Sequence, residues 1–245
     1  MKKVAFITGA SRGIGASTAL YFAKCGYDVA INYLNSKEQA EKIVSQIKAL
    51  GQNAIALCGD VSDKEKVHEM VAGCNKALGT ITVLVNNAGI AQQKLFSDID
   101  EKDFRRMFSV NVYGVYNTIH EVLPQMIHEK HGSIVNVSSM WGVRGASCEV
   151  HYSSAKSAVI GLTKALAQEL APSNIRVNCV APGLIGTDMN SNLSQEELDA
   201  VIEEIPLGKI GKAEDIAKAI FFLADDEFSP FTTGAVLNIN GGMVI

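Results

Sequence analysis

Two periodicities divide the chain. Short apolar runs carrying β-branched residues predict buried strands at Lys3 to Thr8, Tyr27 to Tyr33, Asn53 to Cys58, Thr82 to Val85, Ser133 to Val137, Ile175 to Val180 and Val236 to Ile239. Between them lie stretches with a helical pattern: Ala16 to Cys25, Ser36 to Leu50, Asp63 to Leu78, Asp100 to Lys130, Tyr152 to Ala171 and Ala213 to Ala224. Pro124 predicts a kink or break near the far end of the long 100–130 helix, and Asn111 falls inside it on an apolar face. Residues 142–150 read as a loop. Residues 190–211 are polar and loosely patterned, with a helix start at Ser194-Gln195-Glu196-Glu197, and the segment at about 184–211 resembles a lid over a cleft. The β–α alternation, closed by a last strand, predicts an α/β fold: a doubly wound parallel sheet of about seven strands with helices on both faces. No linker or change of composition divides it, so residues 1–245 are expected to form one domain.

Composition narrows the function. The chain has 245 residues, 47% of them hydrophobic and 20% charged, enough for a sizeable core. A net charge of -4 with interspersed signs gives no basic face for nucleic acid. No stretch approaches the roughly eighteen apolar residues of a membrane span. The apolar run after Lys2-Lys3 is too short for the core of a signal peptide. The five cysteines, Cys25, Cys58, Cys74, Cys148 and Cys179, are scattered without a CxxC spacing, which suits reduced thiols in the cytoplasm. His128 and His131 have no second cluster to complete a metal site.

The first strand runs into Gly9-Ala10-Ser11-Arg12-Gly13-Ile14-Gly15 and then a helix. In that context a glycine loop lets backbone approach a pyrophosphate, with the helix amino end supplying N–H groups. An NAD site usually has a carboxylate at the end of the second strand. Here that end is Ala30-Ile31-Asn32-Tyr33, without an acid. Arg12 either faces a 2′-phosphate or points to solvent; the former favours NADP(H), with NAD(H) left open. Asp60-Val61 and Asn87-Ala88-Gly89 close the third and fourth strands, where they line the same crevice or only form turns. Ser139 ends the fifth strand. Tyr152 and Lys156 stand four residues apart on one helical face, so the ammonium is expected to lower the phenol's pKa from about 10. Such a pair is a general acid/base unit; the plainer alternative is a surface lysine beside a half-buried tyrosine.

Taken together, Thr8-Gly9-x-x-x-Gly13-x-Gly15, Asp60, Asn86-Asn87-Ala88-Gly89, Asn111, Ser139, Tyr152-x-x-x-Lys156 and Pro182-Gly183 resemble the short-chain dehydrogenase/reductase family over nearly the whole length. The resemblance implies a Rossmann-type fold. It implies Tyr152 as the acid/base, Lys156 as the group that lowers its pKa and binds the nicotinamide ribose, and Ser139 as the residue that orients the substrate carbonyl. Asn111 would hold a water linking Lys156 to solvent. Ile185 and Thr187 match positions that contact the nicotinamide amide. The endings Pro206 to Gly211 and Thr233 to Met243 look most like the β-ketoacyl-acyl carrier protein reductases, which implies an acyl carrier protein-bound substrate, fatty-acid biosynthesis and a homotetramer.

The chain departs from that group at Met140-Trp141-Gly142, at Ser173, where a second basic docking residue is usual beside Lys130, and at Asn35, with Lys37 nearby. Trp141 either narrows the substrate mouth or packs against the loop. Residues 138–142 with Gly145 to Glu149 also look like a branch associated with reducing a 5-aminopentanone group on elongation factor P. Glu149 would then meet a cationic substrate, or it is a solvated loop charge. A nucleotide-binding regulator without turnover is the reading from another class; the presence of Ser139, Tyr152, Lys156 and Asn111 together argues against it.

Overall fold

The computed structural model describes residues 2–187 and 195–245. Its strands are β1 (Val4–Ile7), β2 (Asp28–Tyr33), β3 (Ala54–Cys58), β4 (Val83–Asn86), β5 (Gly132–Val137), β6 (Ile175–Pro182) and β7 (Val236–Ile239). The helices are α1 (Gly13–Lys24), α2 (Lys37–Ala49), α3 (Lys64–Leu78), α4 (Glu101–Phe108), α5 (Gly114–Glu129), α6 (Met140–Arg144), α7 (Val150–Leu170), α8 (Gln195–Glu204) and α9 (Ala213–Ala224). All seven strands pair in parallel in the order β3-β2-β1-β4-β5-β6-β7. The order reverses between β1 and β4, and ligands of open parallel sheets bind in the crevice outside the strand carboxyl ends at such a point.

The short apolar runs form strands because both sheet faces are covered. Along β1, Ala5 and Ile7 join one core while Val4 and Phe6 join the other. The first core takes Phe22 of α1, Ile47 of α2 and Ile216 of α9; the second takes Met70 of α3, Met126 of α5 and Val159 of α7. Burying each such side chain contributes about 1.5–3 kcal/mol. Phe22, Tyr27 and Phe221 meet edge to face at 5.0–6.0 Å between ring centroids, locking α1 to α9. Asp63 and Asp100 cap α3 and α4 by accepting backbone N–H groups with their side chains.

Two local differences from the sequence reading concern helices. The 100–130 segment is not broken at Pro124, because α5 continues through it to Glu129. Its irregularity lies upstream, in a π-helical turn at Ser109–Tyr113 that contains Asn111. The segment expected to be a loop after β5 begins instead with α6, capped by Ser139, whose side chain accepts the Trp141 N–H. Of the predicted helix start, Ser194 lies outside the described residues, as do residues 188–193 of the expected lid; α8 begins at Gln195.

Candidate active site

The glycine loop is built by close approach. Gly9 has φ +62°, and a Cβ there would stand 2.8 Å from the Ala88 Cα. A Cβ on Gly15 would lie 2.5 Å from the Gly9 carbonyl oxygen and 2.6 Å from Asn87 Nδ2. Both positions therefore require glycine. Gly13 brings the loop against Thr187, with a hypothetical Cβ 3.5 Å from its Cγ2. Arg12 is exposed at the N-cap of α1, whose first turn has no side-chain cap and no acidic residue. That end of the helix keeps its positive character for an anion.

Asn32 does not face the crevice. It is buried: its Oδ1 accepts the Gly9 N–H at 3.1 Å, and its Nδ2 donates to the Gly59 carbonyl at 2.8 Å. Its side chain ties the glycine loop to the end of β3. Asp60 sits in a turn. Its Oδ1 accepts Ser62 N and Oγ at 2.9 and 2.6 Å, and its Oδ2 meets Arg106 at 3.2 Å. Burial pulls that carboxyl upward, but the Ser62 hydrogen bonds and the guanidinium hold it below the usual carboxylate range. Val61 is buried under Gly114, and its carbonyl accepts Asn117 Nδ2 at 3.0 Å.

At the end of β4, the Thr8 hydroxyl accepts the N–H groups of both Asn87 and Ala88 at 3.0 Å. Asn87 Nδ2 donates back to the Thr8 and Gly9 carbonyls, each at 3.0 Å. A buried polar chain crosses beneath, from Thr118 to Asn86 (2.6 Å), Asn86 to Asn136 (2.9 Å) and Asn136 to Thr163 (2.9 Å). It fixes β4 and β5 between α5 and α7, and nothing in the hydropathy pattern signals it.

One cleft brings Ile14, Asn87, Gly89, Ser139, Tyr152 and Lys156 together with Pro182, Gly183, Ile185 and Thr187. Gly89 is the hub: a Cβ there would fall 2.6 Å from Asn111 Oδ1 and 3.3 Å from Lys156 Nζ. The Asn111 amide is fully buried and clasps Ile90, its Oδ1 accepting the Ile90 N–H at 3.1 Å and its Nδ2 donating to the Ile90 carbonyl at 2.9 Å. Lys156 Nζ donates to the Val137 carbonyl at 2.9 Å and stands over the Tyr152 ring, 5.8 Å from its centroid. The Ser138 hydroxyl, just past the end of β5, donates to the Lys156 carbonyl at 2.8 Å and holds that turn of α7 against the sheet. Trp141 is not a wall of this cleft; it packs beside Tyr152, Ala155 and Met107.

Electrostatics overturn one expectation. Burial pushes the Tyr152 phenol up to about 12, the Glu149 carboxylate adds to the rise, and a hydrogen bond with Ser139 only partly offsets it. Burial also brings the Lys156 ammonium down to about 8. The depression of Tyr152 expected from the four-residue spacing is therefore absent: burial of the phenol dominates, and the groups that act on it are Ser139 and Glu149 rather than Lys156. At neutral pH the cleft presents a protonated phenol beside a serine hydroxyl, two donors that can meet one oxygen.

Beyond the cleft, the ends of segment 184–211 lie side by side: Gly186 N donates to Gly211 O, and Gly211 N to Leu184 O, both at 3.0 Å. Among the described residues no group of three or more His, Cys, Asp or Glu is placed to hold a metal ion, and no helix is long and apolar enough to cross a membrane.

A family profile described as short chain dehydrogenase matches residues 3–198. The chain is 43% identical over 243 residues to the 3-oxoacyl-[acyl-carrier-protein] reductase FabG of Staphylococcus epidermidis, covering 99% of both chains. It is 42% identical to the protein of the same name from Thermotoga maritima, over 99% of this chain and 98% of that one. To the 3-oxoacyl-[acyl-carrier-protein] reductase of Synechocystis sp. it is 40% identical, over 99% of this chain and 97% of that one.

Proposed function

The chain belongs to the short-chain dehydrogenases, and from that premise we propose that it reduces 3-oxoacyl groups carried on acyl carrier protein to 3-hydroxyacyl groups, in fatty-acid biosynthesis. The chain is an oxidoreductase of a family that uses a nicotinamide cofactor. The observation that carries the proposal is the convergence of Ser139, Tyr152 and Lys156 on one cleft whose far end opens on the glycine loop.

The residues present fit a dinucleotide. Gly9 and Gly15 leave a cradle that a Cβ would fill, and the first turn of α1 carries no acid to repel a pyrophosphate. NADPH is the preferred cofactor, and Arg12, exposed at the N-cap of α1, would meet its 2′-phosphate; when bound the cofactor would supply the hydride. Gly13, Ile14, Asn87, Ala88, Gly89, Pro182, Gly183, Ile185 and Thr187 would hold it, and Lys156 would bind its ribose. Ser139 and Tyr152 hold the substrate carbonyl between two hydroxyls. As the carbonyl carbon is reduced, the Tyr152 O–H gives its proton to the oxygen; a phenol held near 12 keeps that proton at neutral pH until an alkoxide develops. Lys156 then faces the phenolate and stabilises it. Asn111, whose side chain clasps Ile90, would lie beside the relay water that links Lys156 to solvent.

The chain acts as one cytoplasmic domain, with 184–211 as its substrate-side lid. Its assembly is a homotetramer, for which Tyr113 at the end of the π-helical turn and Tyr116 in α5, 60% and 47% exposed, supply apolar contact. Oxidation of NADPH with acetoacetyl-acyl carrier protein, against acetoacetyl-coenzyme A and against NADH, tests the reading. Rapid turnover on the carrier-bound thioester supports it, and cofactor binding with no thioester turnover overturns it.

One observation favours a second substrate. Burial raises the Glu149 carboxyl above the usual range, with only a hydrogen bond from Gln93 at 3.3 Å opposing it, and its charge reaches Tyr152. Such a carboxylate suits an amine-bearing ketone, including the 5-aminopentanone modification of elongation factor P. Turnover of 5-amino-2-pentanone that falls at least tenfold in Glu149→Gln, with acetoacetyl thioesters inert, selects this reading.

A further inference from the structure

Three successive residues of the segment after β4 are tied, in antiparallel order, to the segment that leads into Tyr152. Gln92 Oε1 meets His151 Nε2 at 2.9 Å, Gln93 Nε2 donates to Glu149 at 3.3 Å, and Lys94 N donates to the Cys148 carbonyl at 2.7 Å. Asp103 of α4 braces the first strap: Gln92 Nε2 donates to its Oδ1 at 3.2 Å, and Lys94 Nζ bonds its Oδ2. Because the Gln92 amide turns its NH2 toward that carboxylate, its carbonyl oxygen is the atom offered to His151. His151 must then be the Nε2–H tautomer, leaving Nδ1 as a bare acceptor. That Nδ1 is buried and has no partner among the described residues, in a side chain with 0% exposure. The two clasped segments run directly into the cleft, one through Ile90 and the other through Tyr152.

We propose that His151 is a positioning residue: as the neutral Nε2–H imidazole it holds the 92–94 segment against the first turn of α7, fixes the gap between Ile90 and Tyr152, and releases that clasp when Nδ1 takes a proton. An added Nδ1–H would be a buried donor with no acceptor, so the imidazolium is accommodated only by movement toward water. The charged groups that act on the ring from neighbouring elements are Asp103 of α4 and Lys94 of the loop, with Glu149 on its own side at the start of α7. Burial lowers the His151 pKa, and the opposing pulls of Asp103 and Lys94 do not restore it. The clasp is thus closed at neutral pH and opens on the acid side of the ordinary histidine range.

The proposal rests on Tyr152 as proton donor and not on which ketone is reduced. Trp141, the one tryptophan, packs in the Tyr152 cluster and reports without turnover. Its emission is recorded from pH 5 to 8 in the native protein, His151→Gln and His151→Phe. Glutamine keeps an N–H for Gln92 and cannot titrate; phenylalanine removes the donor. The native protein should show a one-proton change that His151→Gln lacks, with His151→Phe already in the acid form at pH 8. On whichever ketone is turned over, His151→Phe should lose at least tenfold in kcat with NADPH Kd within twofold, and His151→Gln should recover most of that loss and extend activity to lower pH. If His151→Phe fails to fold, Gln92→Leu removes the acceptor and carries the same expectation. An acid transition in His151→Gln identical to the native one overturns the proposal, as does an unchanged kcat in His151→Phe or Gln92→Leu. Absence of turnover on every ketone refutes the proposed function instead, and the emission titration then decides alone.

Discussion

Gly15→Ala tests whether the cradle is built by close approach. The new methyl would sit 2.5 Å from Gly9 O, 2.6 Å from Asn87 Nδ2 and 2.8 Å from Ala10 Cα. Two of those atoms are backbone. Gly9 is itself pressed against Ala88, and Asn87 is fixed by bonds to Thr8 and Gly9, so the loop has no easy direction in which to yield. Overpacking of this kind costs about 1–3 kcal/mol. Displacing Asn87 Nδ2 from its two carbonyl partners adds about 0.5–1.5 kcal/mol for each bond lost. The sum is about 2–6 kcal/mol, a large fraction of the roughly 5–15 kcal/mol of a typical domain. For a chain of this length each kcal/mol lowers the melting temperature by about 2–4 °C, so a fall of roughly 10 °C is expected. Urea unfolding measures the loss directly if the slope is unchanged. NADPH fluorescence titration should show binding weakened at least tenfold. A melting temperature within 2 °C of the parent, with unchanged NADPH binding, would refute the argument.

Tyr152→Phe should abolish carbonyl reduction, by at least about a thousandfold given a 10²–10⁴ contribution from acid catalysis, while NADPH binding measured by fluorescence stays within a few-fold. Lys156→Met should raise stability at pH 7 by about 1–3 kcal/mol in urea unfolding while ending turnover. The sign follows from a folded pKa of about 8 against 10.5 unfolded: below pH 8 the folded chain carries a buried charge that disfavours it, and the penalty fades as pH rises from 8 to 10.5. The gain over the parent should accordingly vanish near pH 10.5; a gain that is flat with pH would sink the reasoning. Asn111→Ala leaves the Ile90 N–H and carbonyl without partners and should cost about 2–4 kcal/mol in the same assay.

Much of the fold was legible in the chain because both faces of a parallel sheet are buried, so strands such as Ala5-Phe6-Ile7 appear as continuous apolar runs. The glycine loop was legible for a steric reason, since only glycine tolerates what surrounds positions 9 and 15. Side-chain direction was not. Asn32 lies where a strand end suggests a ligand contact, yet it turns inward because Gly9 N and Gly59 O need a partner away from water. Asn111 stands out in the sequence as a mediocre helix former on an apolar face. Its clasp on Ile90 and the π-helical turn around it are long-range consequences that no local pattern encodes. The straps from 92–94 to 148–151 join polar residues more than fifty positions apart and leave no periodicity to read.

The Tyr152–Lys156 pair shows why a spacing argument can have the right sign and the wrong net result. The four-residue spacing promised a downward pull on the phenol, yet Lys156 Nζ donates to the Val137 carbonyl and stands 5.8 Å from the centre of the Tyr152 ring. Desolvation acts on both partners at once: it lifts the phenol to about 12 and lowers the ammonium to about 8, so the cleft disfavours each charge more than the pair attracts. A neutral phenol is the state an acid must hold before it donates. The ammonium gains its partner only after the proton has left, when a phenolate stands beside it. The attraction thus falls on the state formed during reduction and not on the resting one, which is where a contact must act to lower a barrier.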